Sequence, residues 1–430
     1  MSERGYFYIN KAIAMKKYFA SILLLLFSGF VSVAKTSENQ QEPPYVIMIS
    51  FDGFKHDYVE KFNPPNFKEF IKTGASAEAM IPSFPSKTFP NHYTLVTGLY
   101  PGNHGLVDNS FYDKKLDMQY GIRNRSMVEN SVFYGGLPLW QLVQQNGMKS
   151  ASYFWVGSET SIAGSFPNYY RIYSDDVKNE ERITAVIDWL KLPESERPNF
   201  ISLYFSLVDS QGHRTGPNSE ETKQTVLEAD RLLGLLMTEL RNIDLPVNVI
   251  ITSDHGMNEI QPKEENLISY QDVLSGLDPN QFRFVSNGAH AHLYLKDKAN
   301  IENVFRSLKA KENHFKVLKK EEFPAVWHYQ NDRVGDIMIV IDADYYLTSA
   351  DNKTRQIAAG VARGEHGFDP YTTEDMGAIF YANGPNIKPG SKLPKFENVN
   401  VYPLVAHILG ITELPKIDGK LKVLKSIYKR

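Results

Sequence analysis

The run Tyr45-Val46-Ile47-Met48-Ile49-Ser50-Phe51-Asp52-Gly53 is short, almost unbroken in apolar character, and ends in an acidic turn. That pattern marks a strand covered on both faces, as in parallel sheets flanked by helices. Three further runs have the same form: Ile201-Ser202-Leu203-Tyr204-Phe205, Val247-Asn248-Val249-Ile250-Ile251 and Gly377-Ala378-Ile379-Phe380-Tyr381. Between and after them, segments 181–191, 220–241 and 397–410 carry one apolar face at helical spacing. Short buried strands alternating with amphipathic helices predict an α/β domain built on a central, mainly parallel sheet flanked by helices. In open sheets of this kind ligands bind beyond the carboxyl ends of the strands. Asp and His cluster at those ends here.

Working outward, the first 34 residues read as a signal peptide. Lys16-Lys17 precede an apolar run from Phe19 to Phe27, and Ser32-Val33-Ala34 offers the small residues that cleavage after Ala34 requires. Met15 is an alternative start, and a retained anchor is the alternative to cleavage. Removal takes away Arg4, Lys11, Lys16, Lys17 and Glu3, leaving 43 basic and 49 acidic residues and a net charge of -6. Residues 35–43 read as a polar linker and 44–430 as one domain. The expected location is exported, periplasmic or secreted, with no stable membrane span after cleavage. No long basic run is present, so structured nucleic acid is not an expected partner. The Cys count of 0 excludes disulfides, thiolate metal sites and cysteine nucleophiles together.

Asp52 follows the first strand, Asp209 and His213 stand four apart after the Ile201 run, Asp254-His255-Gly256 follows the Val247 run, and His366 lies in Gly364-Glu365-His366-Gly367. Three carboxylates and three imidazoles with no sulfur suit Zn²⁺ in a catalytic role, where each ion keeps a position open. Two such ions can hold both the attacking and the leaving oxygen of a phosphoryl transfer. Taken singly, Asp52 could be a turn residue and His213 or His366 a loop histidine; strand-end placement of all of them asks for a shared cause. His290-Ala291-His292, with period-2 spacing, is held in reserve.

The nucleophile candidate is Thr88, in Pro82-Ser83-Phe84-Pro85-Ser86-Lys87-Thr88-Phe89-Pro90-Asn91-His92. Phe89-Pro90 predicts a helix beginning at Thr88, since proline is favoured in a first turn. Thr88 could simply be the N-cap. A hydroxyl at a helix N-terminus also meets free N–H groups and a positive dipole end, which suit a phosphate. Coordination to a dication would make its alkoxide accessible.

These motifs resemble the nucleotide pyrophosphatase/phosphodiesterase family of the alkaline phosphatase superfamily, in the form of a bacterial, exported, single catalytic unit. Lys87-Thr88-Phe89-Pro90-Asn91-His92-Tyr93 is similar to its nucleophile motif, followed by Thr97-Gly98-Leu99-Tyr100-Pro101, His104-Gly105 and Asp108-Asn109, and by Trp155 in Phe-Trp-x-Gly-Ser. The resemblance implies an alkaline-phosphatase-like fold with a small substrate-pocket cap insertion around 110–170. It implies two Zn²⁺, one on Asp209, His213 and His366 and the other on Asp52, Thr88, Asp254 and His255. It further implies a phosphothreonine intermediate at Thr88, with Asn109 and the Thr88 backbone N–H donating to the transferring phosphate. Lys87, Phe89, Trp155, Tyr173 and Tyr204 match substrate-pocket positions. Leu207-Val208 stands where nucleotide-cleaving members commonly carry Glu-Pro, and Ser110 where some carry Lys, which leaves the substrate open. A nucleotide diester or anhydride yielding a nucleoside 5′-monophosphate comes first. A choline- or glycerol-type phosphodiester, a phosphomonoester, and a silent exported binding protein are the alternatives.

Overall fold

Tyr45–Phe51 is a strand with every residue buried, and it lies in the middle of an eight-stranded sheet. In spatial order the strands are Ser391–Leu393, Ala75–Ala77, Phe380–Asn383, Val247–Thr252, Tyr45–Phe51, Phe200–Phe205, Ser150–Tyr153 and Tyr169–Arg171. The computed structural model describes residues 44–430; the expected leader 1–34 and linker 35–43 lie outside the described residues. Alternate residues of the Tyr45 strand enter two separate cores. Val46 and Met48 pack with Leu95, Phe200 and Ile250, whereas Tyr45, Ile47, Ile49 and Phe51 pack with Ile201, Leu232 and Leu236. Full burial of each such aliphatic side chain contributes roughly 1.5–3 kcal/mol, which is why the run tolerates so little polarity.

Register then gathers the chemistry at one edge. Ser50 lies opposite Tyr204 on one side and Thr252 on the other. Asp52, Asp209 and Asp254 therefore leave three parallel neighbours at the same end. Asp209 and His213 sit one turn apart on the helix Leu207–Thr215, on one face of it. His366 arrives from elsewhere: the strand Arg363–Glu365 pairs antiparallel with Asn258–Ile260, which carries the 366 loop to Asp254-His255. The helices read from the sequence are present as Asn179–Leu190, Glu220–Arg241 and Val401–Ile408.

Three features differ from the sequence reading. The strand expected at 377–381 forms as Phe380–Asn383 and runs antiparallel to both of its neighbours. The stretch 110–170 is not wholly a cap: Ser110–Asp113 and Met118–Gly121 form a hairpin, but Ser150–Tyr153 and Tyr169–Arg171 are strands of the main sheet. A separate antiparallel sheet, Phe282–Ser286, His290–Leu295, Ile337–Ile341 and Phe315–Lys319 in spatial order, has its own core around Leu293, Val317 and Ile339. No helix among the described residues is long and apolar enough to cross a membrane.

Candidate metal centre and nucleophile

Each of three histidines spends its Nδ1 on a backbone carbonyl. His213 Nδ1 donates to Gly364 O at 2.7 Å, His255 Nδ1 to Gly256 O at 2.8 Å and His366 Nδ1 to Ser86 O at 2.8 Å. A carbonyl can only accept, so these contacts assign the proton to Nδ1 and leave the Nε2 lone pair free. All three Nε2 atoms approach carboxylate oxygens. His213 and His366 lie 3.4 and 3.8 Å from Asp209 Oδ1, while His255 lies 3.0 Å from Asp254 Oδ2 and 3.6 Å from Asp52 Oδ1. The His255 and His366 rings stack with centroids 3.6 Å apart. Asp209-His255-His366 and Asp52-Asp254-His255 each bring three potential ligand atoms within 4.8 Å of one another, so His255 stands between two clusters.

The same three oxygens, Asp52 Oδ1, Asp209 Oδ1 and Asp254 Oδ2, are buried without a hydrogen-bond donor. Orphaned carboxylate oxygens in a protein interior cost several kcal/mol each unless a cation compensates them. Burial, and then the neighbouring Asp254 and Asp209, push the Asp52 carboxyl well above the usual carboxylate range. Burial also holds His366 well below the usual imidazole range, helped by His255, Lys87 and His213; neutral imidazole is the form that binds metal. Oxygen and nitrogen donors, free lone pairs and unpaired acceptors meeting in one place fit divalent metal binding.

Thr88 stands over this cluster, its Oγ1 3.3 Å from His255 Nε2. It is the first residue of the helix Thr88–Thr97, whose N-cap is Lys87 with no side-chain cap bond. The possibility that Thr88 is the cap is thereby corrected: its hydroxyl is free of the helix. His92, one turn on, donates from Nδ1 to Thr88 O at 3.0 Å and reaches Asp254 Oδ2 at 3.3 Å. Its other nitrogen meets Ser50 Oγ at 2.8 Å, which ties the Thr88 helix to the central strand. Asn109 Oδ1 accepts from Phe89 N–H at 2.9 Å, leaving Nδ2 without an acceptor among the described residues. Lys87 is buried, and burial lowers its amine below the usual value.

Tyr204 donates its hydroxyl to Asp52 Oδ2 at 2.6 Å, and its ring lies 6.1 Å from that of Tyr173. Phe89, Tyr173 and Tyr204 are each partly exposed. Trp155 is different. It is 1% exposed and its Nε1 donates to His92 O at 2.9 Å; its place as a pocket residue is corrected to that of a prop behind the Thr88 helix. On the other side, a cleft of about 920 Å³ opens beside Lys87 and Asn109, with Arg123 and Arg355 on its walls. His92, Ser86 and the carbonyls of Gly256 and Gly364 escaped the sequence reading, because a bond to a backbone oxygen leaves no residue pattern.

Gly53 lets the first strand end this close to its neighbour. Its φ is +66°, and a Cβ there would sit 2.9 Å from Asp209 Cα. Gly53→Ala is expected to lose at least about 1 kcal/mol from the left-handed backbone alone, and more from displacing Asp209. Chemical denaturation with metal analysis on the same sample measures both; an unchanged midpoint with full metal content would contradict this account of the turn.

Residues 46–369 match the family model for type I phosphodiesterase / nucleotide pyrophosphatase. The chain is 35% identical over 395 residues to venom phosphodiesterase of Macrovipera lebetinus, covering 89% of this chain and 45% of that one. It is 34% identical to human ectonucleotide pyrophosphatase/phosphodiesterase family member 1, covering 87% of this chain and 41% of the relative. It thus spans about half the length, or less, of these curated relatives. Among solved structures, murine ectonucleotide pyrophosphatase/phosphodiesterase 5 superposes with a TM-score of 0.82 at 31% identity, covering 90% of this chain and all of the other. An inactive threonine-to-alanine form of that murine protein, in complex with AMP, superposes with a TM-score of 0.81. The fold is accordingly alkaline-phosphatase-like, and with three quarters of its length matching the family model, this chain belongs to the type I phosphodiesterase / nucleotide pyrophosphatase family.

Proposed function

We propose that this chain hydrolyses phosphodiester or phosphoanhydride bonds of nucleotides through a phosphothreonine at Thr88, releasing a nucleoside 5′-monophosphate. The observation that carries the reading is the convergence of three free imidazole nitrogens and three unpaired carboxylate oxygens beneath a hydroxyl that its helix does not use. Two Zn²⁺ are the proposed occupants, held by Asp209, His213 and His366 and by Asp52, Thr88, Asp254 and His255. When bound they supply Lewis acidity that lowers the cost of alkoxide at Thr88 and of charge on the phosphate.

The rest is the work of side chains. Thr88 Oγ1 loses its proton to solvent and forms the new bond to phosphorus, while the bond to the leaving-group oxygen breaks in line and that oxygen departs with the electron pair, taking a proton from solvent. Water then displaces Oγ1 at phosphorus, one of its protons passing to Thr88. Asn109 Nδ2 and the backbone N–H of Thr88 donate to a non-bridging oxygen as charge builds, a preorganised arrangement. His92 fixes the Thr88 carbonyl, and Phe89, Tyr173 and Tyr204 offer aromatic surface to a base.

Two observations support a nucleotide over a choline or glycerol ester. The cleft beside Asn109 carries Arg123 and Arg355, which suit an anionic leaving group, and an inactive form of the related murine protein has been solved in complex with AMP. Exported location rests on the 1–34 segment and on secreted venom relatives.

Chelation should abolish activity and Zn²⁺ restore it, with close to two ions per chain in the active protein. Metal analysis showing fewer than one ion in fully active protein would defeat the two-metal reading. Turnover of dinucleoside polyphosphates and nucleoside triphosphates, set against glycerophosphocholine and simple monoesters, tests the substrate; preference for glycerophosphocholine would replace it.

A further inference from the structure

Asp108, His290 and His292 form a second Asp/His cluster, wholly buried and apart from the metal ligands. Its spacing invites a metal reading, but the atoms are already engaged with one another. Asp108 Oδ2 accepts from His290 Nε2 at 2.5 Å, from His292 Nε2 at 3.0 Å and from Asn287 Nδ2 at 3.0 Å. Its Oδ1 accepts from Asn109 N–H at 2.7 Å. His290 Nδ1 lies 3.1 Å from Gly367 O, and His292 Nδ1 accepts from Gly335 N–H at 3.4 Å. No lone pair of the cluster is left aimed at an empty centre, in contrast to Asp52, Asp209 and Asp254.

What the cluster holds is informative. His290 and His292 point to one face of the strand His290–Leu295 in the second sheet, as period-2 spacing requires. Through Asp108 that strand grips the Asn109 amide, and Asn287 spans Asp108 and Ser110 O at 3.0 Å each. The Asn109 carbonyl accepts from Ile122 N–H at 3.1 Å. Through Gly367 the same strand touches the loop that carries His366. Burial opposes charge on both partners, yet the two imidazoles hold the Asp108 carboxyl well below the usual carboxylate range. Burial works against charge on His290 and holds its imidazole below the usual value even with the Asp108 carboxylate 2.5 Å away.

We infer that Asp108, anchored by His290 and His292, is a positioning residue that sets where the Asn109 side-chain amide meets the transferring phosphate. The second sheet then serves the reaction without touching substrate, by fixing a donor to within the tolerance that transition-state stabilisation demands. This rests on the reading of Asn109 as a phosphate donor, and the experiment separates the two.

The test is a double-mutant cycle on the zinc-loaded enzyme, with the p-nitrophenyl ester of thymidine 5′-monophosphate as substrate. Asp108→Asn is expected to lower kcat by about 10- to 100-fold with KM and metal content close to wild type. In the Asn109→Ala background the same change should cost less than about threefold, since its route of action is already gone. Losses that multiply would overturn the positioning role, as would loss of a metal ion from Asp108→Asn, which would make the cluster a metal site. A harmless Asn109→Ala would instead overturn the reading on which the inference rests. Should Asp108→Asn fail to fold, His292→Gln decides: a loss in kcat that disappears in the Asn109→Ala background supports the inference, and an undiminished or absent loss overturns it.

Discussion

Thr88→Ala is expected to remove at least about a hundredfold of kcat while leaving melting temperature and zinc content near wild type. The structure makes that separation clean. A threonine that capped its helix would cost about 1 kcal/mol on truncation, but here the cap position belongs to Lys87 and the side chain that accepts from the first turn is Asn109, through the Phe89 N–H. Among the described residues the Thr88 hydroxyl hydrogen-bonds only to His255 Nε2, and that histidine stays anchored through Gly256 O when the hydroxyl is gone. The helix is held instead by His92 on Ser50 and by Trp155 on the His92 carbonyl. Stability therefore has little reason to fall. Thr88→Ser should keep part of the activity, because the hydroxyl and its position remain. If Thr88→Ala turned over at near the wild-type rate, attack by water without a covalent step would be the better mechanism.

The elements that could be read from sequence are those for which one residue pattern has one physical cause. Tyr45–Phe51 was legible because a strand buried on both faces excludes polar residues. Glu220–Arg241 was legible because a long helix on a sheet repeats its apolar stripe over six turns. The strand-end Asp and His residues followed from where parallel strands deliver their carboxyl ends. Other features had weak or shared signals. Tyr169–Arg171 is a three-residue edge strand without a fully buried residue, and nothing in its composition separates it from a loop. The reversed direction of Phe380–Asn383 depends on pairing with Ala75–Ala77 and Val247–Thr252, partners far away in sequence. Ile337–Ile341 is as apolar as the central strand, but apolarity does not say which sheet a strand joins. Trp155 was misplaced because an aromatic beside an active site looks the same in sequence whether it lines the pocket or backs the helix. His290-Ala291-His292 did carry a signal: period-2 histidines share one face of a strand, and their partner Asp108 stood next to a residue already singled out.

Asn109 offers a sharper separation of roles than truncation alone. Its Oδ1 accepts from Phe89 N–H, so Asn109→Ala removes a loop bond and a proposed phosphate donor together. Loss of the donor is expected to cost roughly 2.7–4 kcal/mol of transition-state stabilisation, a fall in kcat/KM of about 10²–10³. Loss of the Phe89 bond alone is expected to cost about 1–3 kcal/mol of stability, the price of an unpaired amide. Asn109→Asp distinguishes them, because a carboxylate oxygen still accepts from Phe89 N–H while the donor becomes an acceptor facing phosphate. If Asn109 only shapes the loop, Asn109→Asp keeps melting temperature and rate near wild type. If it donates to the transferring phosphate, Asn109→Asp is stable, keeps its zinc, and is at least as slow as Asn109→Ala, since charge repulsion is added to the lost hydrogen bond. Melting temperature, metal content and kcat/KM measured on one preparation of each variant decide between the two, and wild-type kinetics in Asn109→Asp would remove Asn109 from the reaction.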